Sequence, residues 1–120
     1  MTLVKFDQDA DNVVSGSYST GTGPVLRSEN MEVTKISFAK GKGADTHQHA
    51  EEQVMYVLEG LLEVTCNGET YQVHPGEATF NPSNAPHSVM AIEDVVALSF
   101  KNQVAPIYEP TGRLDNGGGS

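Results

Sequence analysis

The chain has one cysteine, no tryptophan, and seven lysines and arginines against sixteen acidic residues, for a formal charge of −9. A single thiol, Cys66, cannot close a disulfide within the chain, so the fold has to stand on its core alone. Too few basic residues are present to form a stripe or cluster, which argues against a nucleic-acid partner or an anionic membrane surface; the acidity reads as solubility. No apolar run approaches the roughly 18 residues of a membrane span. The Met1–Asp7 stretch lacks a charged segment followed by an apolar one, so no signal peptide is expected and the expected location is cytoplasmic. At 120 residues the length is that of one domain with one modest core.

Long helical periodicity is also missing. Instead, Gly, Pro and Asn interrupt the chain every eight to twelve residues, with short alternating runs between them. That spacing predicts an all-β sandwich or barrel. Strands are expected at Met31–Ala39, Gln53–Leu58, Leu61–Cys66, Glu69–Val73, Ala78–Asn81, His87–Ile92 and Val95–Phe100, with one or two edge strands and a Ser/Thr/Gly loop within residues 1–30. Asn67-Gly68 is a strong two-residue hairpin signal. Leu62, Val64 and Cys66 alternate with Glu63, Thr65 and Asn67, which makes Cys66 a small apolar filler. About eight antiparallel strands in this order suit a jelly-roll barrel, able to hold a ligand in its mouth. The expected organisation is N-terminal strands and loop over 1–30, at a dimer interface, a barrel over 31–105, and an extension with a flexible tail over 106–120.

Histidine is scarce, yet three of the four are placed where one metal ion could be gripped. His47 and His49 lie two apart, Gln53 follows four later, and His87 sits in a separate Pro-flanked segment. Residues two apart on a strand share a side, and neutral imidazole is the commonest protein metal ligand. His74, before Pro75-Gly76, reads as a surface residue. Glu51 and Glu52 adjoin the site as alternative ligand or general base, although alternation sets Glu52 opposite Gln53.

These residues also make the chain resemble a cupin. The first cupin motif, Gly, five residues, His-x-His, three or four residues, Glu, six residues, Gly, is matched from Gly41 through His47, His49 and Gln53 to Gly60, with Gln53 where Glu is usual. The second is matched from Gly76 through Pro82, Asn84 and His87 to Ala91. Asn84 stands for the motif's Gly, a replacement Asn tolerates at positive φ, and Ala91 stands for its terminal Asn. Fifteen residues separate the motifs, as in small bacterial cupins, and the resemblance spans residues 31–101. It implies a double-stranded β-helix fold with His47, His49, Gln53 and His87 as ligands of one divalent transition metal: Mn, Fe, Ni, Zn or Cu.

Under that resemblance Gln for Glu leaves four neutral ligands and a more strongly Lewis-acidic ion. The variant is similar to that of KdgF-like cupins that ketonise unsaturated uronates and of cupins with hydroxynitrile lyase activity. The uronate enzymes add an Asp and an Arg near the last strand; here the polar residues of Val95–Lys101 are Ser99 and Lys101, and the arginines are Arg27 and Arg113. The implied function is a non-oxidative lyase, isomerase or tautomerase acting on a small oxygenated molecule. The alternatives are a non-haem metal dioxygenase and a non-catalytic metal or small-molecule binding protein. Phe38, Met55, Phe80, Val89, Leu98 and Phe100 are expected to line the pocket, with Val57 and Ile36 as further candidates, and Lys35, Lys40 and Lys101 are candidate carboxylate anchors. The expected partners are a small-molecule substrate and a second copy of the chain.

Overall fold

The computed structural model describes residues 3–14 and 18–103. The expected tail at 106–120 and part of the Ser/Thr/Gly loop lie outside these residues. Ten strands follow one four-residue helix, α1 (Phe6–Asp9): β1 (Asp11–Val14), β2 (Thr22–Arg27), β3 (Met31–Phe38), β4 (Gly43–His47), β5 (Gln53–Glu59), β6 (Leu62–Cys66), β7 (Glu69–Val73), β8 (Ala78–Asn81), β9 (His87–Ala91) and β10 (Val95–Asn102). They form a six-stranded sheet, ordered β1-β2-β3-β10-β5-β8, and a four-stranded sheet, ordered β4-β9-β6-β7. Every pairing is antiparallel, and the architecture is the jelly roll read from the sequence.

Period-two alternation builds the core. Ile36 and Phe38 on β3, Met55 and Val57 on β5 and Ala97 on β10 meet Leu62, Val64, Val89 and Ala91 of the smaller sheet in one buried cluster. Cys66 is buried at the end of β6. The hairpin turn falls at Asn67 (φ 51) and Gly68 (φ 81), the paired positive dihedrals of a type I′ turn. Asn84 takes φ 61, the left-handed conformation its place in the second motif required. Gly60, at φ +86, packs so close to the Asp94 carbonyl that a side chain there would collide with backbone.

Three expectations need correction. The strand count is ten among the described residues rather than about eight: both N-terminal edge strands form as expected, and β4 adds a strand where no strong apolar run marked one. His49 lies beyond the end of β4. After the His47–His87 pair the chain leaves the ladder to cross to the other sheet, and the His49 carbonyl accepts the Asn84 N–H at 2.8 Å instead. Phe80, Leu98 and Phe100 do not point into the barrel. The inward positions of β10 are Val95, Ala97, Ser99 and Lys101, all buried, so Leu98 and Phe100 fall on the other face. Phe80 is 54% exposed and pairs with outward Val54. Outside the larger sheet, Leu26, Val33, Phe100, Val54 and Phe80 form one apolar row across five strands.

Candidate metal centre

Backbone pairing brings the three histidines together. His47, the last residue of β4, is registered directly against His87, the first of β9. The Pro82–Pro86 connection, held by the Asn84 bond to His49, carries His87 to this point. The His87 ring centroid lies 4.3 Å from that of His47 and 4.9 Å from that of His49, and the latter two are 5.6 Å apart. One ligand nitrogen from each falls within 4.8 Å of the others.

The hydrogen bonds decide which nitrogen each ring presents. Nδ1 of His47 donates to the Asp45 carbonyl at 2.7 Å, Nδ1 of His49 to the Glu51 carbonyl at 2.9 Å, and Nδ1 of His87 to the Ala85 carbonyl at 2.8 Å. A carbonyl oxygen can only accept, so the proton resides on Nδ1 and Nε2 carries a lone pair. All three Nε2 atoms are buried and lack a hydrogen-bond partner. A buried polar atom left unmet costs on the order of 1–3 kcal/mol. Three convergent lone pairs fixed by carbonyl acceptors behind them are the arrangement a metal ion satisfies.

The surroundings keep the rings neutral. Burial pushes His47 down to about 4, and the neighbouring His87, His49 and Lys101 charges add to it. Burial, followed by the Lys101 ammonium, pushes His49 down to about 4; burial and Lys101 also lower His87. Because these folded-state values lie below the unfolded value of 6.5, the unfolded chain takes up protons first as pH falls. The stability contributed by neutral imidazoles is complete above pH 6.5 and is lost progressively toward pH 4. Metal-stripped protein is therefore expected to melt at steadily lower temperature from pH 7 to pH 5, as thermal denaturation by circular dichroism would read; a flat melting temperature over that interval contradicts this.

Gln53 sits on β5 at 0% exposure. Its Nε2 donates to Ser99 Oγ at 2.7 Å, and its Oε1 accepts a long bond of 3.4 Å from Asn81 Nδ2. Among the expected pocket residues, Phe38, Met55 and Val89 are buried in the interior cluster. Of the three candidate anchor lysines, Lys101 alone is buried, at 4%. Glu52 is exposed, as is His74, whereas Glu51 is buried with Oε1 3.8 Å from His49 Nδ1. Sequence reasoning missed Tyr18, whose ring stacks on His47 at 4.2 Å, because nothing in its Ser/Thr/Gly context marks it. Ser99 was recoverable: it alternates with Ala97 and Lys101 on the inward side of β10.

Comparison with known proteins agrees with this architecture. The chain is 28% identical over 111 residues to quercetin 2,3-dioxygenase of Bacillus subtilis, an alignment covering 89% of this chain and 31% of that protein. It is 31% identical over 68 residues to the pectin degradation protein KdgF of Dickeya dadantii, covering 56% of this chain and 62% of that one. It thus spans about a third of the first relative and under two thirds of the second. Among solved structures, KdgF from Halomonas sp. superposes with a TM-score of 0.65 at 25% identity, over 68% of this chain and 77% of that one. An RmlC-like cupin from Shewanella frigidimarina superposes at 0.75 and 20% identity, over 90% and 96%. Residues 34–100, more than half the chain and including both histidine segments, match the family Cupin domain, and the protein is a member of that family.

Proposed function

We propose that this cupin is a metal-dependent enzyme of non-oxidative lyase, isomerase or tautomerase type, acting on a small oxygenated organic substrate, with His47, His49, Gln53 and His87 as metal ligands. The observation that carries this reading is the set of three buried, unpartnered Nε2 atoms with their Nδ1 protons tied to backbone. The ion, drawn from Mn, Fe, Ni, Zn or Cu, supplies Lewis acidity toward a carbonyl or hydroxyl oxygen. The chain's part is positioning. Ser99 and Asn81 hold the Gln53 amide, and Tyr18 covers one face of His47. Four neutral ligands leave the ion's charge undiminished, favouring an anionic or enolising substrate. Glu51, buried beside His49, is the acid/base candidate.

The relative named as a quercetin dioxygenase supports a second reading, oxidative chemistry at the same ligands; a binding protein without turnover is the third. Protein purified without added metal is expected to carry about one transition-metal ion per chain. In an oxygen electrode it is expected to consume no O₂ with catechols, diketones or thiols. Metal-dependent O₂ uptake would replace the first reading with the second, and a metal-free preparation that takes up no added ion would remove both. We also propose a homodimer through the N-terminal strands, supported by the position of β1 at the sheet edge. Light scattering on the same preparation should give twice the 12.8 kDa chain mass; a mass of one chain excludes it.

A further inference from the structure

The inward face of the larger sheet carries a second polar feature, on strands that bear none of the histidines. Register places Arg27 opposite Glu32, Glu32 opposite Lys101, Lys101 opposite Gln53, and Gln53 opposite Asn81, in one row across β2, β3, β10, β5 and β8. Glu32, Lys101 and Asn81 are buried at 2%, 4% and 1%. Arg27 Nε donates to Glu32 Oε1 at 2.8 Å. That single bond leaves Arg27 Nη2 and Glu32 Oε2 buried without partners, and Asn81 Oδ1 is in the same condition. Thr34 Oγ1, one inward position along β3 from Glu32, is another.

Among the described residues, every buried side-chain polar atom without a partner belongs to the histidine cluster, to this row or to Thr34. The concentration is the informative point. A barrel end built for stability alone would hold apolar residues, since replacing a buried ion pair with well-packed apolar groups is commonly neutral or stabilising. The unmet atoms also have complementary chemistry. Arg27 Nη2 is a charged donor, and Lys101 lies in the same row on the far side of Glu32; both cations suit carboxylate oxygens. Glu32 Oε2 and Asn81 Oδ1 are acceptors, suited to hydroxyl protons.

We propose that the Arg27–Glu32–Lys101–Asn81 row is the recognition wall for a small hydroxycarboxylate, with Arg27 and Lys101 holding the carboxylate and Glu32 and Asn81 accepting from its hydroxyls. This deepens the function proposed above, resting on the barrel interior as the substrate site, and it does not depend on the metal being bound. Lys35 and Lys40, the other lysines considered as anchors, lie outside the row.

The test is isothermal calorimetry of the metal-free protein with tartrate, with succinate (no hydroxyls) and erythritol (no carboxylates) as controls. One tartrate should bind per chain, at least tenfold more tightly than either control. The double variant Arg27→Met/Glu32→Met removes the pair together and so strands neither charge. It should bind tartrate at least tenfold more weakly, with an unchanged circular dichroism spectrum and uptake of one metal ion per chain. Should that variant fail to fold, Lys101→Met is expected to show the same loss. Absence of tartrate binding, affinity unchanged in a folded variant, or equal binding of sulfate would overturn the proposal. Tartrate binding in a protein that takes up no metal would overturn the enzymatic reading above and leave this one standing.

Discussion

Replacing His49 with alanine is expected to abolish stoichiometric metal binding while leaving the barrel folded. The three imidazoles present one lone pair each, so losing one leaves two histidines and, in the ligand set proposed above, the Gln53 amide oxygen. Changing a residue that merely supports a ligand commonly costs 10–100-fold in affinity, and removing a ligand should cost more, on the order of a hundredfold or greater. Stability should change little. His49 stands outside β4, contributes nothing to the β4–β9 ladder, and makes one ring bond, to the Glu51 carbonyl, worth about 1 kcal/mol. Calorimetric titration with Zn²⁺ or Ni²⁺, alongside circular dichroism, reads both quantities. One ion per chain retained at wild-type affinity would reject His49 as a ligand.

The second large effect is on stability, and it contrasts two apolar side chains on neighbouring strands. Met55→Ala deletes a side chain with 0% exposure from the middle of the interior cluster. Buried Met-to-Ala changes cost about 2–5 kcal/mol, a large share of the roughly 5–15 kcal/mol that holds a domain folded. Phe80→Ala removes more atoms, but from a ring that is 54% exposed, and should cost less than about 1 kcal/mol. Denaturant midpoints for the two variants at equal protein concentration separate them. A Phe80→Ala loss equal to or larger than that of Met55→Ala would mean that this ring packs inside.

The same contrast explains how far the sequence could be read. Alternation on β3, β5 and β6 was strong enough to orient Ile36, Phe38, Met55, Leu62 and Val64 correctly. On β10 the pattern was ambiguous, because aromatic and aliphatic residues occupy the outward positions while Ser99 and Lys101 occupy the inward ones. Hydrophobicity alone then assigns the strand backwards. The outer face at Phe80 and Phe100 is apolar and the barrel end is polar, the reverse of the usual expectation, and only register against β3 and β5 exposes the inversion. Tyr18 was illegible for another reason: it reaches His47 from a segment with no periodic signal at all.

By itself the sequence determined the family, the jelly roll, the hairpin at Asn67-Gly68, the left-handed residue at Asn84 and which histidines would be of interest. Each of these is written in local spacing, which a chain carries wherever it is. The tertiary structure alone decided that His49 reaches the cluster from beyond its strand, that each ring offers Nε2, and that Arg27, Glu32, Lys101, Gln53 and Asn81 share one row. Those facts depend on pairings between residues far apart in the chain, 69 positions for Glu32 and Lys101, and the hydrogen-bonded register of the two sheets is a property of the whole barrel.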